Sequence, residues 1–185
     1  LVQGDVGSGK TMIAAAAAFC AAKNGLQTAF LVPTEILARQ HFASLRALMS
    51  RFSIETVLLT GSMPAAEKRR VKEAIASGEA KLILGTHALL SGDVAFQSLG
   101  LVIADEQHRF GVGQRAALAA KGRSPHLLVM SATPIPRTLA LIAYGDLDIS
   151  VVDELPPGRQ TIDTFLVGER LRQRVHAFLR RQCAE

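Results

Sequence analysis

Short apolar runs alternate along the chain with longer segments in which apolar residues recur at helical spacing. Five of the runs are four or five residues long and show little polar alternation, which is typical of strands buried on both faces of a parallel sheet. They are Thr28–Val32, Thr56–Thr60, Lys81–Leu84, Leu101–Ala104 and Leu127–Met130. Another apolar strand end, Leu1-Val2, opens the sequence.

Helical segments with clear stop signals separate these runs. Glycine or an Asn-Gly pair follows two of them, and a Pro-Thr pair precedes another, as expected at helix ends. The predicted helices are Lys10–Lys23, Glu35–Met49 and Ala65–Ala76. The alternation of strand and helix predicts an α/β domain built on a doubly wound, mostly parallel sheet.

A second unit is predicted after residues 155–160, where two prolines and a glycine cannot continue a helix or a central strand. We therefore expect a first domain at 1–154, a linker at 155–160 and the start of a second domain at 161–185. An apolar run at Thr161–Val167 and an Arg-rich amphipathic helix at Glu169–Arg181 resemble one β-α unit. The chain is expected to be part of a longer protein.

Composition narrows the class of protein. The 185 residues are 49% apolar and 20% charged, enough for one sizeable core. No apolar run approaches the roughly 20 residues of a membrane span, which excludes such a span within this sequence. The two cysteines lack CxxC or zinc spacing, so a reduced, cytoplasmic setting is expected. The net charge of +5 favours an anionic partner only weakly, because much of it lies in Arg170–Arg181, which also suits a solvated helix face.

The strongest motif lies at the start of the chain, where GDVGSGKT fits G-x-x-x-x-G-K-[ST] between a strand end and a helix. Its glycines let backbone N–H groups converge on phosphate oxygens, and the helix N-terminus adds partial positive charge. Lys10 is expected to reach the β- and γ-phosphates of ATP, and Thr11 to ligate Mg²⁺. The alternative is a flexible Gly/Ser turn. The predicted ATP-binding residues are Gly4, Asp5, Val6, Gly7, Ser8, Gly9, Lys10 and Thr11.

Two adjacent carboxylates, Asp105 and Glu106, follow the strand Leu101–Ala104. Neighbouring like charges repel and are costly to desolvate unless a cation offsets them. A parallel sheet would bring this strand end to the edge that carries the phosphate loop. We therefore expect Asp105 to hold the Mg²⁺ that Thr11 also contacts, and Glu106 to orient or deprotonate the attacking water. Without the loop, such a pair would more often be a helix start.

Six blocks, read in order, resemble a known family. They are GDVGSGKT, PTEILARQH, GTHALL, DEQHRFGVGQR, SATPIPRTLA and GDLDISVVDELPPGR. Together they resemble the first RecA-like motor domain of superfamily 2 DNA helicases of the DExH type, specifically the RecG family. The resemblance implies Mg-ATP hydrolysis coupled to translocation on duplex DNA at forks and Holliday junctions, in replication, recombination and repair. It also implies a wedge domain and a second motor domain, without which this fragment is expected to be a weak ATPase.

The resemblance also assigns roles to residues. Lys10, Asp105 and Glu106 would be catalytic. Gln107 and His108 would sense the γ-phosphate and connect it to a motif containing Ser131 and Thr133. DNA phosphates would be held at Pro33, Thr34, Gly85, Thr86 and His87.

Some of these roles have structural alternatives. Thr34 also suits a helix cap, and His87 is equally well explained as a structural histidine. The other histidines, His41, His126 and His176, carry no signal beyond core or surface placement.

Two alternative functions stay open. The translocase of transcription–repair coupling shares the HRFGV and TPIPRT blocks, although GDVGSGKT, GTHALL and DEQH favour the RecG family. The chain in isolation could also act only as a nucleotide- or DNA-binding module without catalysis. DNA-stimulated ATPase activity distinguishes a motor from such a module.

Overall fold

Helices cover both faces of a parallel β-sheet in the computed structural model, which describes residues 1–105, 117–118, 120–132, 148–154 and 164–183. The strands are β1 (Val2–Gly4), β2 (Gln27–Leu31), β3 (Thr56–Leu59), β4 (Leu82–Gly85), β5 (Leu99–Ala104), β6 (His126–Ser131) and β7 (Ser150–Val152). The α-helices are α1 (Lys10–Lys23), α2 (Glu35–Ser50), α3 (Ala65–Ala76) and α4 (Arg172–Gln182). Short 3₁₀ helices occupy His87–Leu90 and Glu169–Leu171.

Within the described ranges the seven strands lie in the order β3-β4-β2-β5-β6-β1-β7, and every neighbouring pair is parallel. All strands therefore end at one common edge, here called the carboxyl edge. The predicted fold class, a doubly wound parallel sheet in an α/β domain, is confirmed.

Each central strand is buried on both faces, which explains the nearly continuous apolar runs in the sequence. In β2, Phe30 packs into the core under α1 and α2, whereas Ala29 and Leu31 point into the core under α3. The helices supply matching small and aliphatic residues, with Ala14, Ala15 and Ala18 from α1 on one face. Ile75 of α3 does the same on the other face.

The predicted helices and strands agree with the structure to within about two residues, with three differences. Strand β7 is absent from the prediction, since its three residues form a short and partly exposed edge strand. The predicted helix Glu169–Arg181 starts as a 3₁₀ turn and becomes α-helical at Arg172. The described part of the predicted strand at 161–167, residues 164–167, lies outside any strand and is exposed.

No helix in the described parts of the chain combines the length and apolar character that a membrane crossing requires.

The fully buried Gln27 ties three segments together at the amino-terminal edge of the sheet. Its amide nitrogen donates to the carbonyls of Ile75 and Ala80 at 2.8 and 2.9 Å, and its oxygen accepts from the amide of Ser98 at 2.9 Å. We expect Gln27→Leu to lower the free energy of unfolding by about 2–4 kcal/mol, because buried backbone groups lose partners. Denaturant unfolding measures this. The exposed Gln40→Leu should stay within about 0.5 kcal/mol of the parent, and an equal effect of the two changes would contradict the prediction.

Candidate functional site at the carboxyl edge of the sheet

The phosphate loop leaves β1 and enters α1 at the carboxyl edge. Gly9, the residue before α1, has φ of +92°, and Gly7 has φ of +85°, a region that side chains rarely adopt. At Gly4 a Cβ atom would lie 2.6 Å from the Ser8 hydroxyl, so the loop closes tightly on itself. These three glycines therefore shape the loop that the sequence predicts.

Lys10 and Ser8 direct polar groups into this loop. The Lys10 ammonium donates to the carbonyl oxygens of Gly4 and Asp5, each at 2.8 Å. The Ser8 hydroxyl is buried and has no hydrogen-bond partner among the described residues. A phosphate oxygen is the acceptor that such a hydroxyl, the ammonium and the N-terminus of α1 would all suit. The residues present therefore fit a bound triphosphate.

Asp105 lies at the same edge, directly after β5. The strand order places β6 between β5 and β1, and the register sets Gln3 opposite Ser131 and Ala104 opposite Val129. Neighbouring strands lie about 4.8 Å apart, and two such spacings separate β5 from β1. Asp105 is therefore roughly 10 Å from the start of the phosphate loop. Ser131 is buried at the end of the intervening strand. The structure thus brings the phosphate loop, Ser131 and Asp105 together.

The Asp105 side chain is held by His41, which carries no functional signal in the sequence. The Nε2 atom of His41, on α2, lies 3.1 Å from the Asp105 carboxylate, and the two side chains are only 14% and 13% exposed. The backbone amide of Asp105 donates to Leu31 of β2 at 3.0 Å. The orientation of the carboxylate is therefore fixed by β2 and α2 as well as by its own strand.

The other half of the edge carries the predicted DNA-contact residues. Thr34 caps α2, since its hydroxyl accepts a hydrogen bond from the amide of Leu37 at 3.3 Å. Gly85 ends β4 where a Cβ atom would collide with the backbone carbonyl of Leu59. The Thr86 hydroxyl is buried, without a hydrogen-bond partner in the described part of the chain, whereas His87 is exposed.

Several predicted residues fall outside the described ranges. They are Glu106, Gln107, His108 and Thr133. The linker at 155–160 also lies outside them. In the described ranges no three His, Cys, Asp or Glu side chains form a group able to hold a metal ion by themselves. A cation at Asp105 would therefore need ligands such as the Thr11 hydroxyl and phosphate oxygens.

Comparison with known proteins identifies the family. A model described as DEAD/DEAH box helicase matches residues 1–142, most of the chain. The chain belongs to the DEAD/DEAH box helicase family. The strand order and the edge that carries the phosphate loop are thus those of a helicase RecA-like domain.

Relatives within this helicase family are similar over nearly the whole chain. The ATP-dependent DNA helicase RecG of Streptococcus pneumoniae is 58% identical over 174 residues, which cover 94% of this chain and 26% of that protein. RecG of Synechocystis sp. is 50% identical over 185 residues, 100% of this chain and 22% of that protein. A structure of RecG bound to a three-way DNA junction matches with a TM-score of 0.83 and 46% identity over 99% of this chain and 24% of that one. The chain spans about a quarter of the length of these relatives.

A further polar segment of this helicase domain, Thr60–Ser62, lies at the same edge and has no predicted role. Ser62 follows β3, and its amide donates to the Glu35 carboxylate at 2.9 Å, while its hydroxyl bonds to the other carboxylate oxygen. Since Glu35 is the first residue of α2, this contact links the loops after β2 and β3. The Thr-Gly-Ser run at the end of an apolar strand is a signal by which this segment could have been found.

The link between Glu35 and Ser62 gives a prediction about pH. Hydrogen bonds from the Ser62 hydroxyl and amide hold the pKa of the Glu35 carboxyl below its usual range. Because the folded pKa is below the unfolded one, the contact adds stability above the unfolded pKa and loses it as the pH falls through the folded value. We expect the Ser62 amide shift in an NMR titration to have a midpoint below about 4.3, the value for free glutamate. In Glu35→Gln this transition should vanish; a midpoint at or above that of free glutamate would contradict the contact.

Proposed function

We propose that the chain is the first RecA-like motor domain of an ATP-dependent DNA helicase that remodels forks and branched junctions. One observation carries this proposal: a single edge of the sheet bears the phosphate loop, Ser131 and Asp105 at the ends of β1, β6 and β5, and further polar residues at the ends of the adjacent β2, β4 and β3. One half of the edge suits a nucleotide and the other half suits a second ligand. The similarity to a protein whose structure contains a three-way DNA junction supports DNA as that ligand.

In the nucleotide half, the residues bind and orient ATP. Lys10 and the backbone N–H groups of the loop bind the β- and γ-phosphates, and Ser8 donates its hydroxyl to a phosphate oxygen. Thr11 and Asp105 would hold Mg²⁺, which when bound would neutralise charge on the phosphates. Glu106 orients or deprotonates the water that attacks the γ-phosphate in line.

Residues around this centre connect nucleotide state to the rest of the motor. Gln107 and His108 follow the catalytic carboxylate directly in sequence, and Ser131 ends the strand between the two halves of the ATP site. We assign these residues, with Thr133, the role of sensing the γ-phosphate. In a complete protein they would relay it to the second motor domain.

In the DNA half, backbone and hydroxyl groups hold the phosphates of the duplex. Pro33, Thr34, Gly85, Thr86 and His87 contribute from the ends of β2 and β4. Such contacts position a nucleic acid without reading its sequence, which suits an enzyme that moves along DNA. The exposed Ser62 loop, fixed by Glu35, lies beside them at the end of β3.

The proposed organisation keeps the first motor domain at 1–154, a linker at 155–160 and the start of the second motor domain at 161–185. The RecG relatives are about four times longer than this chain. The complete protein would supply a wedge domain and the remainder of the second motor domain. With chromosomal DNA as its partner, it would act in the cytoplasm.

The test is the DNA dependence of ATP hydrolysis by a complete protein containing this chain and by the chain alone. With Mg²⁺ present, we expect branched DNA to stimulate the complete protein more than linear duplex does. Stimulation should weaken as salt is raised, because phosphate contacts release counterions. The chain alone should bind a fluorescent ATP analogue but hydrolyse ATP slowly. Nucleotide binding without DNA stimulation of the complete protein would show a binding module instead of a motor.

A further inference from the structure

His41 links the two halves of the carboxyl edge. It lies on α2, which begins in the DNA half, and it contacts Asp105 in the nucleotide half. Its ring packs against the ring of the fully buried Phe30, with centroids 5.4 Å apart, and its Nε2 atom meets the Asp105 carboxylate at 3.1 Å. An ionised carboxylate can only accept hydrogen bonds, so Nε2 must carry the proton and donate it. The imidazole thus packs against Phe30, with its plane tilted 36° to the Phe30 ring, and directs Nε2 at one carboxylate oxygen of Asp105.

The hydrogen bond from His41 restricts the orientation of the Asp105 carboxylate. With only 13% of the Asp105 side chain exposed, rotation away from His41 would cost a charge-assisted hydrogen bond in a poorly solvated position. Carboxylates that ligate metals are commonly oriented by hydrogen-bond donors of this kind.

His41 also belongs to the helix that begins at the other half of the edge. Thr34 caps α2 and Glu35 starts it, and His41 follows about two turns later, roughly 10 Å along the helix axis. The amide of Ser62 is held by Glu35 at 2.9 Å at the start of the same helix. A shift of α2 along its axis would therefore move the Asp105 contact and the loops after β2 and β3 together.

We propose that His41 is a positioning residue that holds Asp105 in the orientation needed to bind Mg²⁺ and ties that orientation to α2, whose start contacts DNA. This inference rests on the proposed function, because that function supplies the roles of Asp105 and of the Thr34 segment. His41 itself contacts neither nucleotide nor DNA in this account. Its role is to make the metal site respond to the position of α2.

The test compares four variants of a complete protein containing this chain. His41→Phe keeps an aromatic ring beside Phe30 but removes the donor, whereas His41→Gln keeps an N–H donor. Asp105→Asn removes the ligand charge, and Gln40→Leu changes an exposed residue of the same helix as a control. The first readout is the Mg²⁺ concentration that gives half-maximal binding of a fluorescent, non-hydrolysable ATP analogue, measured without turnover.

We expect His41→Phe to raise this Mg²⁺ concentration about tenfold, as for other residues that orient metal ligands, and His41→Gln to restore most of the loss. Gln40→Leu should match the parent protein. The second readout is the ratio of ATPase rates with and without branched DNA, which should fall in His41→Phe at saturating Mg²⁺. A residue that only supports packing would change the thermal midpoint but neither readout, and His41→Gln would then give no rescue.

The outcomes separate this inference from the proposed function. If Asp105→Asn raises the Mg²⁺ requirement and His41→Phe does not, the positioning role is overturned and the metal site stands. If Asp105→Asn itself leaves the Mg²⁺ requirement unchanged, the metal assignment and the role of His41 both fail. If His41→Phe shifts the Mg²⁺ requirement but leaves the DNA ratio unchanged, the link through α2 is overturned.

Discussion

Replacement of Lys10 by alanine is expected to abolish nucleotide binding and to lower the ATPase rate of a complete protein by at least about a hundredfold. A cation aimed at developing phosphate charge contributes on this scale. In the structure the Lys10 ammonium already lies inside the phosphate loop, 2.8 Å from the carbonyls of Gly4 and Asp5. The alanine variant removes the positive charge from that position. Equilibrium binding of a fluorescent ATP analogue and steady-state ATPase assays measure the effect.

Lys23→Ala is the matched control, because Lys23 lies at the far end of the same helix, over the ring of Phe19. It should bind nucleotide and turn over as the parent does. Circular dichroism should show Lys10→Ala folded, since the core contacts of α1 come from its alanines. Normal nucleotide affinity in a folded Lys10→Ala variant would rule out the phosphate-loop assignment.

Replacement of Glu106 by glutamine is expected to preserve nucleotide binding and to lower ATP turnover by about a hundred- to ten-thousandfold. The amide keeps the size of the side chain but cannot accept a proton, and general base catalysis contributes on this scale. Affinity should persist because Lys10, Thr11 and Asp105 are unchanged. Single-turnover hydrolysis measures the chemical step apart from product release.

Glu79→Gln supplies the matched control, since Glu79 is exposed and lies just ahead of β4, at the opposite end of the sheet. Its turnover should equal that of the parent. Glu106→Gln should also accumulate the nucleotide-bound state, which a filter-binding assay with ATP detects. Hydrolysis at the parental rate in Glu106→Gln would assign the base to another residue.

The sequence was informative about the fold wherever a strand is buried on both faces. Strands β2 to β6 appear as apolar runs because both faces of the sheet are buried, each in its own hydrophobic core. Phe30 packs into one of these cores and its neighbour Leu31 into the other. Strand β7 has no such run, because it forms the sheet edge and Val151 is 63% exposed. A short, exposed edge strand such as β7 therefore lacks the apolar run on which the prediction depends, whereas β3, at the other edge, is mostly buried and shows it.

Local motifs made parts of the site predictable, and long-range contacts did not. The conformation of the phosphate loop depends on glycines that all lie within the eight-residue motif GDVGSGKT, so it can be predicted from the local sequence. His41 and Asp105 are 64 positions apart, and only the pairing of β2 with β5 brings α2 over the end of β5. Nothing near His41 in sequence marks that contact. The Glu35 and Ser62 pair, 27 positions apart, was missed for the same reason.

The most direct test is a crystal structure of the complete protein with Mg²⁺ and a non-hydrolysable ATP analogue. We expect one Mg²⁺ bound by the Thr11 hydroxyl and by β- and γ-phosphate oxygens, with Asp105 reaching it directly or through one water. Lys10 should contact the same phosphates. A metal ion beyond the reach of Asp105 even through a water molecule, or a nucleotide bound away from the Gly4–Thr11 loop, would show that the loop and Asp105 do not serve one Mg-nucleotide.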